Sequence, residues 1–251
     1  MASSSTSAAP QAGAQKPIYF WREYGSPHCI YSQWYLSPFT DPKTGTHYKT
    51  AEQYMMHQKA LLFSDPAIAA KILQTTSPKE QKSLGRKVKN FKDSTWVLHR
   101  SRIVEEGSYL KFKYGQDKGE LEGKGLSLKE RLLQTGEKEL VEASPMDRVW
   151  GIGFTERWAE ERMGEWGLNL LGKALGKARE RLMAEEKEAG AKTGEGKGKE
   201  SKFDDIGLGE GIDTNENEND PETVGDAEAV GQEAEKDEER PKKRTRRDRK
   251  T

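Results

Sequence analysis

The aromatic residues of this chain are confined to one part of it, and this restricts where a core can form. All six Trp and all eight Tyr lie before position 185 of the 251 residues. That stretch is large enough to bury a core and enclose a pocket. The sequence from 186 to 251 is rich in Glu, Lys, Gly, Asn and Asp and cannot bury enough apolar surface to fold. We therefore expect a flexible leader over 1–16, one domain over 17–185 and a disordered charged tail over 186–251.

The net charge of zero is the sum of two opposite charges. Residues 1–185 carry 28 basic and 22 acidic side chains, whereas 186–251 carry 14 basic and 20 acidic ones. A mildly basic domain is compatible with an anionic ligand.

The single cysteine, Cys29, excludes an intramolecular disulfide framework and a Cys-rich zinc site, so a reducing compartment is the simplest interpretation. No apolar run approaches the roughly 18 residues of a membrane span, and we expect an intracellular protein, cytoplasmic or nuclear or both.

The tail ends in a basic cluster over 241–250, behind an acidic stretch. Clusters of this kind are typical of nuclear-import signals and nucleic-acid patches. A solubilising end has the same composition. The sequence leaves both interpretations open.

Helix signals dominate the domain. Capping residues, prolines at first helical positions and helical spacing of apolar residues predict helices over 51–63, 67–73, 78–85, 93–104, 128–134 and 168–182. Aromatic β-prone runs begin near 18 and span 31–35, and 140–143 is a candidate buried strand. The pattern predicts an α+β, mainly helical domain with a small β-sheet built from the early strands.

Glu52 and Lys59 form the first candidate pair. They lie seven positions apart on the predicted helix 51–63, which places them on one face about 10 Å apart along the axis. A carboxylate in the first turn is stabilised in its ionised form by the helix N-terminus, which suits it to face a developing cation. A solvated Glu near the start of a helix is the simpler alternative.

The second candidate segment follows the predicted strand 140–143. Trp150 offers a flat face for a base, Arg148 a bidentate partner for phosphate, and Asp147 an acceptor for ribose hydroxyls or a general base. Small residues follow at Gly151 and Gly153, and loops at strand ends commonly carry sites. The alternative is an Asp–Arg surface pair beside a core tryptophan.

A third segment lies on the last predicted helix. Asn169 and Lys173 are one turn apart on the same side, which would let both contact a ligand. Gly172 and Gly176 would let this helix approach another backbone closely, at a cost of about 1 kcal/mol each relative to Ala. Close packing alone explains the segment equally well.

Several kinds of chemistry lack their sequence signals. The four histidines show no metal-ligand spacing, and the chain has no phosphate-binding P-loop, GxSxG elbow or GxGxxG fingerprint. We therefore expect neither a metal nor a cofactor.

Taken together, the segments resemble the NADAR domain family, also called YbiA-like or riboflavin-biosynthesis-associated N-glycosidases, over about 18–182. The resemblance rests on Ser37-Pro-Phe39, Tyr48-Lys-Thr-Ala-Glu-Gln-Tyr54, Gln58-Lys-Ala60, Leu84-Gly-Arg86, Trp96, Leu132-Leu-Gln-Thr-Gly136, Leu140-Val-Glu-Ala-Ser144, Asp147-Arg-Val-Trp-Gly-Ile-Gly153 and Asn169-Leu-Leu-Gly-Lys-Ala-Leu175. Ser32-Gln33-Trp34 departs from the Ser-Asn-Phe or Ser-Asn-Trp of many members.

The resemblance implies a YbiA-like α+β fold and hydrolysis of an N-glycosidic bond. The implied substrates are ribosylamino-pyrimidine phosphates, the early intermediates of riboflavin synthesis, or ADP-ribose attached to guanine in nucleic acid. The same resemblance places Glu52, Trp96, Asp147 and Trp150 in the active site.

The expected mechanism distributes these side chains around an oxocarbenium-like state. Glu52 faces the sugar, Asp147 acts as the second carboxylate, and Lys59 either binds phosphate or attacks C1. The expected substrate-binding residues are Trp34, Trp96, Arg148, Trp150, Asn169 and Lys173. A non-catalytic reader of ADP-ribose or NAD-like ligands is the alternative function, and the basic tail alone suggests a nucleic-acid-binding protein.

Overall fold

The structure is a computed structural model that describes residues 15–194. The basic cluster of 241–250, nearly all of the expected leader and most of the expected tail lie outside these residues. Within them the chain forms four short strands and seven α-helices. They are β1 (Ile18–Phe20), β2 (Phe39–Thr40), β3 (His47–Tyr48), α1 (Ala51–Leu62), α2 (Pro66–Gln74), α3 (Pro78–Gly85), α4 (Asp93–Tyr114), α5 (Leu128–Leu133), β4 (Leu140–Glu142), α6 (Glu156–Ala159) and α7 (Leu170–Gly194). The prediction of a mainly helical α+β domain is confirmed.

Helices start where the sequence placed capping residues. The hydroxyl of Thr50 accepts a hydrogen bond from the Gln53 amide at 3.1 Å, and the carboxylate of Asp65 accepts one from Ile68 at 3.1 Å. Within residues 15–194, a full reciprocal capping box forms at Ser127, before α5. Gln53 does not complete the box of α1, because its Oε1 accepts from the Lys49 amide at 2.7 Å and its Nε2 donates to the carbonyl of Ile72 at 2.9 Å.

The strands pair differently from the prediction. β1 lies parallel to β4, with Phe20 opposite Glu142, while β2 and β3 form a separate antiparallel pair. The early strands therefore do not form one sheet. A parallel partner needs a long crossover, and this one passes through most of the helices before β4 returns to β1.

The predicted strand over 31–35 is wrong. A 3-10 turn, Cys29–Tyr31, is followed by an irregular segment. The ammonium group of the buried Lys111 donates to the carbonyls of Ile30 and Ser32, at 2.5 and 2.8 Å. These bonds join the segment to α4, and Tyr31 and Tyr35 pack into the main core from this loop.

α4 is longer than predicted, because it continues to Tyr114 instead of ending near 104. Gly107 lies against the ring of Tyr54, and a Cβ at that position would approach the ring to 2.7 Å. A glycine inside the helix therefore serves the contact between α1 and α4 and does not end the helix.

The β1–β4 pair separates two groups of buried residues. Phe20 and Leu140 pack in the main core with α1, α4 and α7, whereas Tyr19 and Val141 belong to a smaller cluster with Ile152. Successive side chains of a strand point to opposite faces, so residue 142 shares the face of Leu140. This alternation directs Glu142 away from the smaller cluster.

Candidate active site

Glu52 is a buried carboxylic acid in the first turn of α1. The residue is 3% exposed, and its Oε1 has no hydrogen-bond partner within residues 15–194. Its backbone amide donates to the Gln33 carbonyl at 3.0 Å. Burial raises the pKa of Glu52 to about 7, although the positive charge of Lys82 and the indole N–H of Trp34 favour the ionised form. The carboxyl group is therefore able to exchange a proton near neutral pH.

Glu142 provides a second carboxyl group at the end of β4. Its residue is half-buried, but Oε2 is inaccessible and has no hydrogen-bond partner in the part of the chain that the structure describes. Burial raises the pKa of Glu142 to about 8, and the negative charges of Asp147 and Glu52 act in the same direction. At neutral pH this side chain is mainly the neutral acid, which can donate a proton.

Asp147 is a third carboxyl group that interacts electrostatically with Glu52 and Glu142. Its Oδ1 accepts hydrogen bonds from the backbone amides of Val149, at 2.8 Å, and Trp150, at 2.7 Å. These bonds fix the turn after β4, and the negative charge of Asp147 raises the pKa of both Glu52 and Glu142. The site thus holds three interacting carboxyl groups, two of which have raised pKa values.

Two cations on α3 offset this charge. Lys82 and Arg86 lie one helical turn apart, are exposed, and both lower the pKa of Glu52. The Lys82 ammonium lies 5.8 Å from the ring centroid of Trp34. Exposed cations beside buried carboxyl groups can hold the phosphate of a ligand at the mouth of the site.

Lys59 lies on the same helix as Glu52 and is half-buried. Its ammonium is 4.3 Å from the ring centroid of Phe91 and 5.4 Å from that of Trp96. Burial lowers the pKa of Lys59, and the charge of Arg86 adds to this effect, while Glu52 opposes it. The predicted pair of Glu52 and Lys59 is therefore electrostatically coupled, with Trp96 beside it.

Arg148 and Lys173 lie elsewhere. The Arg148 guanidinium donates to the Glu165 carbonyl at 2.5 Å and is 5.5 Å from the ring centroid of Phe154. Lys173 is exposed on α7. Neither is among the charges that act on Glu52 or Glu142, so the structure does not bring them to the carboxyl groups. Trp150 is half-buried against the main core and adjoins the site through its amide bond to Asp147.

The side chain of Asn169 is hydrogen-bonded to the backbone of β4. Its Oδ1 accepts from the amide of Glu142 at 3.1 Å, and its Nδ2 donates to the carbonyl of Leu140 at 3.0 Å. The side-chain amide thereby replaces a neighbouring strand along the outer edge of β4. Asn169 holds the strand that carries Glu142, and its own polar atoms are already engaged.

Sequence reasoning missed Lys82, Arg86 and Glu142 as site residues. One signal was available for Glu142, because it is the single charged residue in the apolar run 140–143. For the cations the signal was weaker: Lys82 lies on the predicted helix 78–85, Arg86 follows its end four positions later, and Arg86 belongs to a segment that carries the family resemblance.

Two further observations concern the described range 15–194. It contains no group of three or more side chains that could hold a metal ion. It also has no helix with the length and apolar character needed to cross a bilayer.

Known proteins share both the sequence and the fold. Residues 19–183 match the NADAR domain. An N-glycosidase of Acanthamoeba polyphaga mimivirus is 44% identical over 156 residues, covering 60% of this chain and 86% of its own. An N-glycosidase of Nostoc punctiforme is 32% identical over 173 residues, covering 66% and 92%. The NMR structure of the E. coli protein YbiA has a TM-score of 0.54 at 23% identity, covering 70% of this chain and 90% of its own, which confirms the expected fold. The chain belongs to the NADAR domain family.

Proposed function

We propose that this chain is an N-glycosidase that hydrolyses the bond between a ribose C1′ and a base nitrogen in a ribose-phosphate compound. The observation that carries the proposal is the buried carboxyl group of Glu52, whose Oε1 lacks a hydrogen-bond partner among the described residues and whose charge is coupled to Asp147 and to the cations Lys82 and Arg86. Cleavage of an N-glycosidic bond passes through an oxocarbenium-like state, which needs negative charge near C1′ and a proton for the departing base.

Glu52 and Glu142, whose pKa values are both raised, are assigned different tasks because these pKa values differ. As the C1′–N bond breaks, its electron pair stays on the nitrogen, which takes a proton from the neutral acid of Glu142. Ionised Glu52 stabilises the sugar cation and accepts a proton from the water whose oxygen bonds to C1′. The two groups end with exchanged protonation states, and proton exchange with solvent restores them.

Lys82 and Arg86 take the phosphate-binding role that the sequence had suggested for Arg148 and Lys173. Their side chains are exposed on one side of α3, and their charges reach Glu52. Trp34 and Trp96 each lie near a cation of the site, Lys82 and Lys59 respectively. Indole rings beside cations suit a ligand with a flat base and a phosphate.

Lys59 has a second candidate role, because its lowered pKa increases the fraction of free amine. The amine nitrogen would bond to C1′ as the C1′–base bond breaks, the base would leave with the proton from Glu142, and water would then cleave the C1′–amine bond and restore the free amine. Lys59→Arg keeps the positive charge and removes this nucleophile. If Lys59 only binds phosphate, we expect Lys59→Arg to retain most of the turnover; a loss as large as that of Lys59→Ala indicates covalent catalysis.

The family resemblance implies two substrate classes: ribosylamino-pyrimidine phosphates and ADP-ribose attached to guanine in nucleic acid. The test incubates the full chain with each and measures released ribose 5-phosphate or ADP-ribose. Release from one class identifies the substrate. Saturable binding of both without release supports the alternative, a non-catalytic reader.

The residue test uses Glu52→Gln, with Glu105→Gln as the matched control at an exposed position of α4. We expect Glu52→Gln to lower kcat by about a hundredfold or more, in the range of general acid–base effects, and the control to stay within about twofold. A folded Glu52→Gln protein with nearly normal turnover would falsify the assignment.

The pH profile tests the division of roles. If Glu52 acts ionised and Glu142 acts neutral, kcat/KM rises through about pH 7 and falls above about pH 8. Glu142→Gln should remove the alkaline limb and lower the maximum. An unchanged alkaline limb in this variant assigns the proton donor to another group.

A further inference from the structure

A cavity of about 300 Å³ lies beside β1 and α6, outside the candidate active site. We call it the β1-edge cavity. Its lining includes Tyr19, Trp21, Tyr24 and Ala143, together with two arginines, Arg22 and Arg157. Its volume is at the lower end of the range for small-ligand sites.

One residue of the lining, Tyr19, is held in the smaller core cluster. It is 4% exposed, and its ring lies edge-on against Trp166 with a centroid distance of 6.4 Å. Tyr19 therefore forms a fixed wall of the cavity, and the contacts with a ligand come from the exposed residues of the lining.

The arginines are stacked on aromatic rings. The Arg22 guanidinium carbon lies 4.5 Å from the ring centroid of Trp21, and Nη1 donates to the Tyr24 hydroxyl at 2.8 Å. Arg157 lies 5.0 Å from the ring centroid of Trp158. Among the described residues, the ion pairs involve other side chains than these two arginines. Their charge is therefore available to an anion.

The charge and the exposed rings point to the same kind of ligand. The lining carries two arginines, Arg22 and Arg157, and one acidic residue, Glu156, so the lining itself is net positive, while Glu139 and Glu160 act on Tyr19 from outside it. Trp21 is 39% exposed and Tyr24 is 53% exposed, which leaves aromatic surface for a flat group. Aromatic rings interleaved with arginines are typical of surfaces that stack nucleobases and bind the adjoining phosphates.

We propose that the β1-edge cavity binds one nucleotide unit, with its base against Trp21 and Tyr24 and its phosphate on Arg22 and Arg157. The unit could be a free nucleotide or part of a single-stranded nucleic acid, since both present the same base and phosphate. Ala143 lines the cavity, and the preceding residue, Glu142, points to the opposite face of β4. The cavity and the candidate active site therefore lie on opposite faces of β4, and binding in the cavity does not depend on turnover.

The test measures fluorescence anisotropy of a labelled ten-nucleotide single-stranded DNA with the full chain. Because the terminal basic cluster can bind nucleic acid by charge alone, all proteins carry Ala at Lys242, Lys243, Arg244, Arg246 and Arg247. In this background we expect Trp21→Ala, and the double change of Arg22 and Arg157 to Ala, to weaken binding about tenfold or more.

Two variants serve as controls. Trp21→Phe keeps an aromatic face and should retain most of the affinity, which separates stacking from general damage to the fold. Arg102→Ala removes an exposed arginine on α4 and should leave the affinity unchanged. Unchanged affinity in both Trp21→Ala and the double arginine variant, or no binding by the parent protein, overturns the proposal.

Competition with AMP distinguishes the two sources. Displacement of the labelled DNA by AMP, lost in Trp21→Ala, indicates a site for free nucleotides. DNA binding that is sensitive to Trp21→Ala but resists AMP indicates a site for a nucleotide within a strand. Hydrolysis is measured separately. Cavity-dependent binding without hydrolysis contradicts only the proposed N-glycosidase activity. Hydrolysis without cavity-dependent binding contradicts only the proposed nucleotide site.

Discussion

Asn169→Ala tests whether this residue supports β4 or contacts ligand. The change removes an acceptor from the Glu142 amide and a donor to the Leu140 carbonyl, bonds of 3.1 and 3.0 Å at a residue that is 3% exposed. Each backbone group left buried without a partner costs about 1–3 kcal/mol. Asn169 also has a φ of 48°, where Ala is disfavoured by about 1–2 kcal/mol. We therefore expect a loss of at least about 3 kcal/mol in the free energy of unfolding, the sum of the lower values for the two groups and the backbone.

The assay is urea denaturation followed by circular dichroism. Asn90→Ala is the matched control, since Asn90 also has a positive φ, 55°, but is exposed. It should lose only the backbone contribution, about 1–2 kcal/mol. Asn169→Gly relieves the backbone cost and still loses both hydrogen bonds, so it should remain clearly less stable than Asn90→Ala.

The support role predicts a specific pattern across stability and kinetics. Stability should fall strongly in Asn169→Ala, and activity should fall as well, because β4 positions Glu142. If Asn169→Ala is no less stable than Asn90→Ala while KM rises, the residue contacts substrate and the reasoning is wrong.

Three further predictions concern the same region. Trp150→Ala should lower kcat/KM by about tenfold to a hundredfold through lost stacking, and kinetics with thermal melting on one sample check it; normal turnover in a strongly destabilised protein would make Trp150 a core residue only. Because the folded-state pKa values of Glu52 and Glu142 are raised, their stabilising contribution is complete below about pH 4 and decreases as the pH rises through about 7 and 8. The urea midpoint should therefore decrease as the pH rises from 5 to 7, and Glu142→Gln should reduce this pH dependence. Equal pH dependence in the wild-type protein and the variant argues against a raised pKa of Glu142. Gly172→Ala would place a Cβ against the Leu140 carbonyl and should cost about 1–3 kcal/mol in the free energy of unfolding. Gly176→Ala has open space around its Cβ and should be neutral or stabilising. Equal unfolding free energies of the two variants would contradict the close approach of α7 to β4.

Local features of the sequence were sufficient to place most of the helices. The N-caps at Thr50, Asp65, Ser77 and Ser127 act within one turn of their own chain, so each predicted start agrees with the structure within a residue or two. These helix predictions are confirmed because the interactions that decide them join residues close in sequence. The site role of Glu52 came from the family resemblance and stays a prediction.

Only the tertiary structure decided the properties that depend on distant residues. The segment near Tyr31 has strand-forming residues, but Lys111 from α4 holds it as a turn. The parallel partner of β1 and the cations of α3 likewise come from distant parts of the chain. The raised pKa of Glu142 arises from burial and from the charges of Asp147 and Glu52. Neither the burial of Glu142 nor its distances to these charges can be read from composition or from residue spacing. The sequence alone therefore placed the helix starts and one of the two proposed carboxyl groups, Glu52. The packing of α1, α3 and β4 brought Glu142 and the α3 cations to it and set the protonation of both carboxyl groups, because desolvation and Coulomb interactions depend on positions in space.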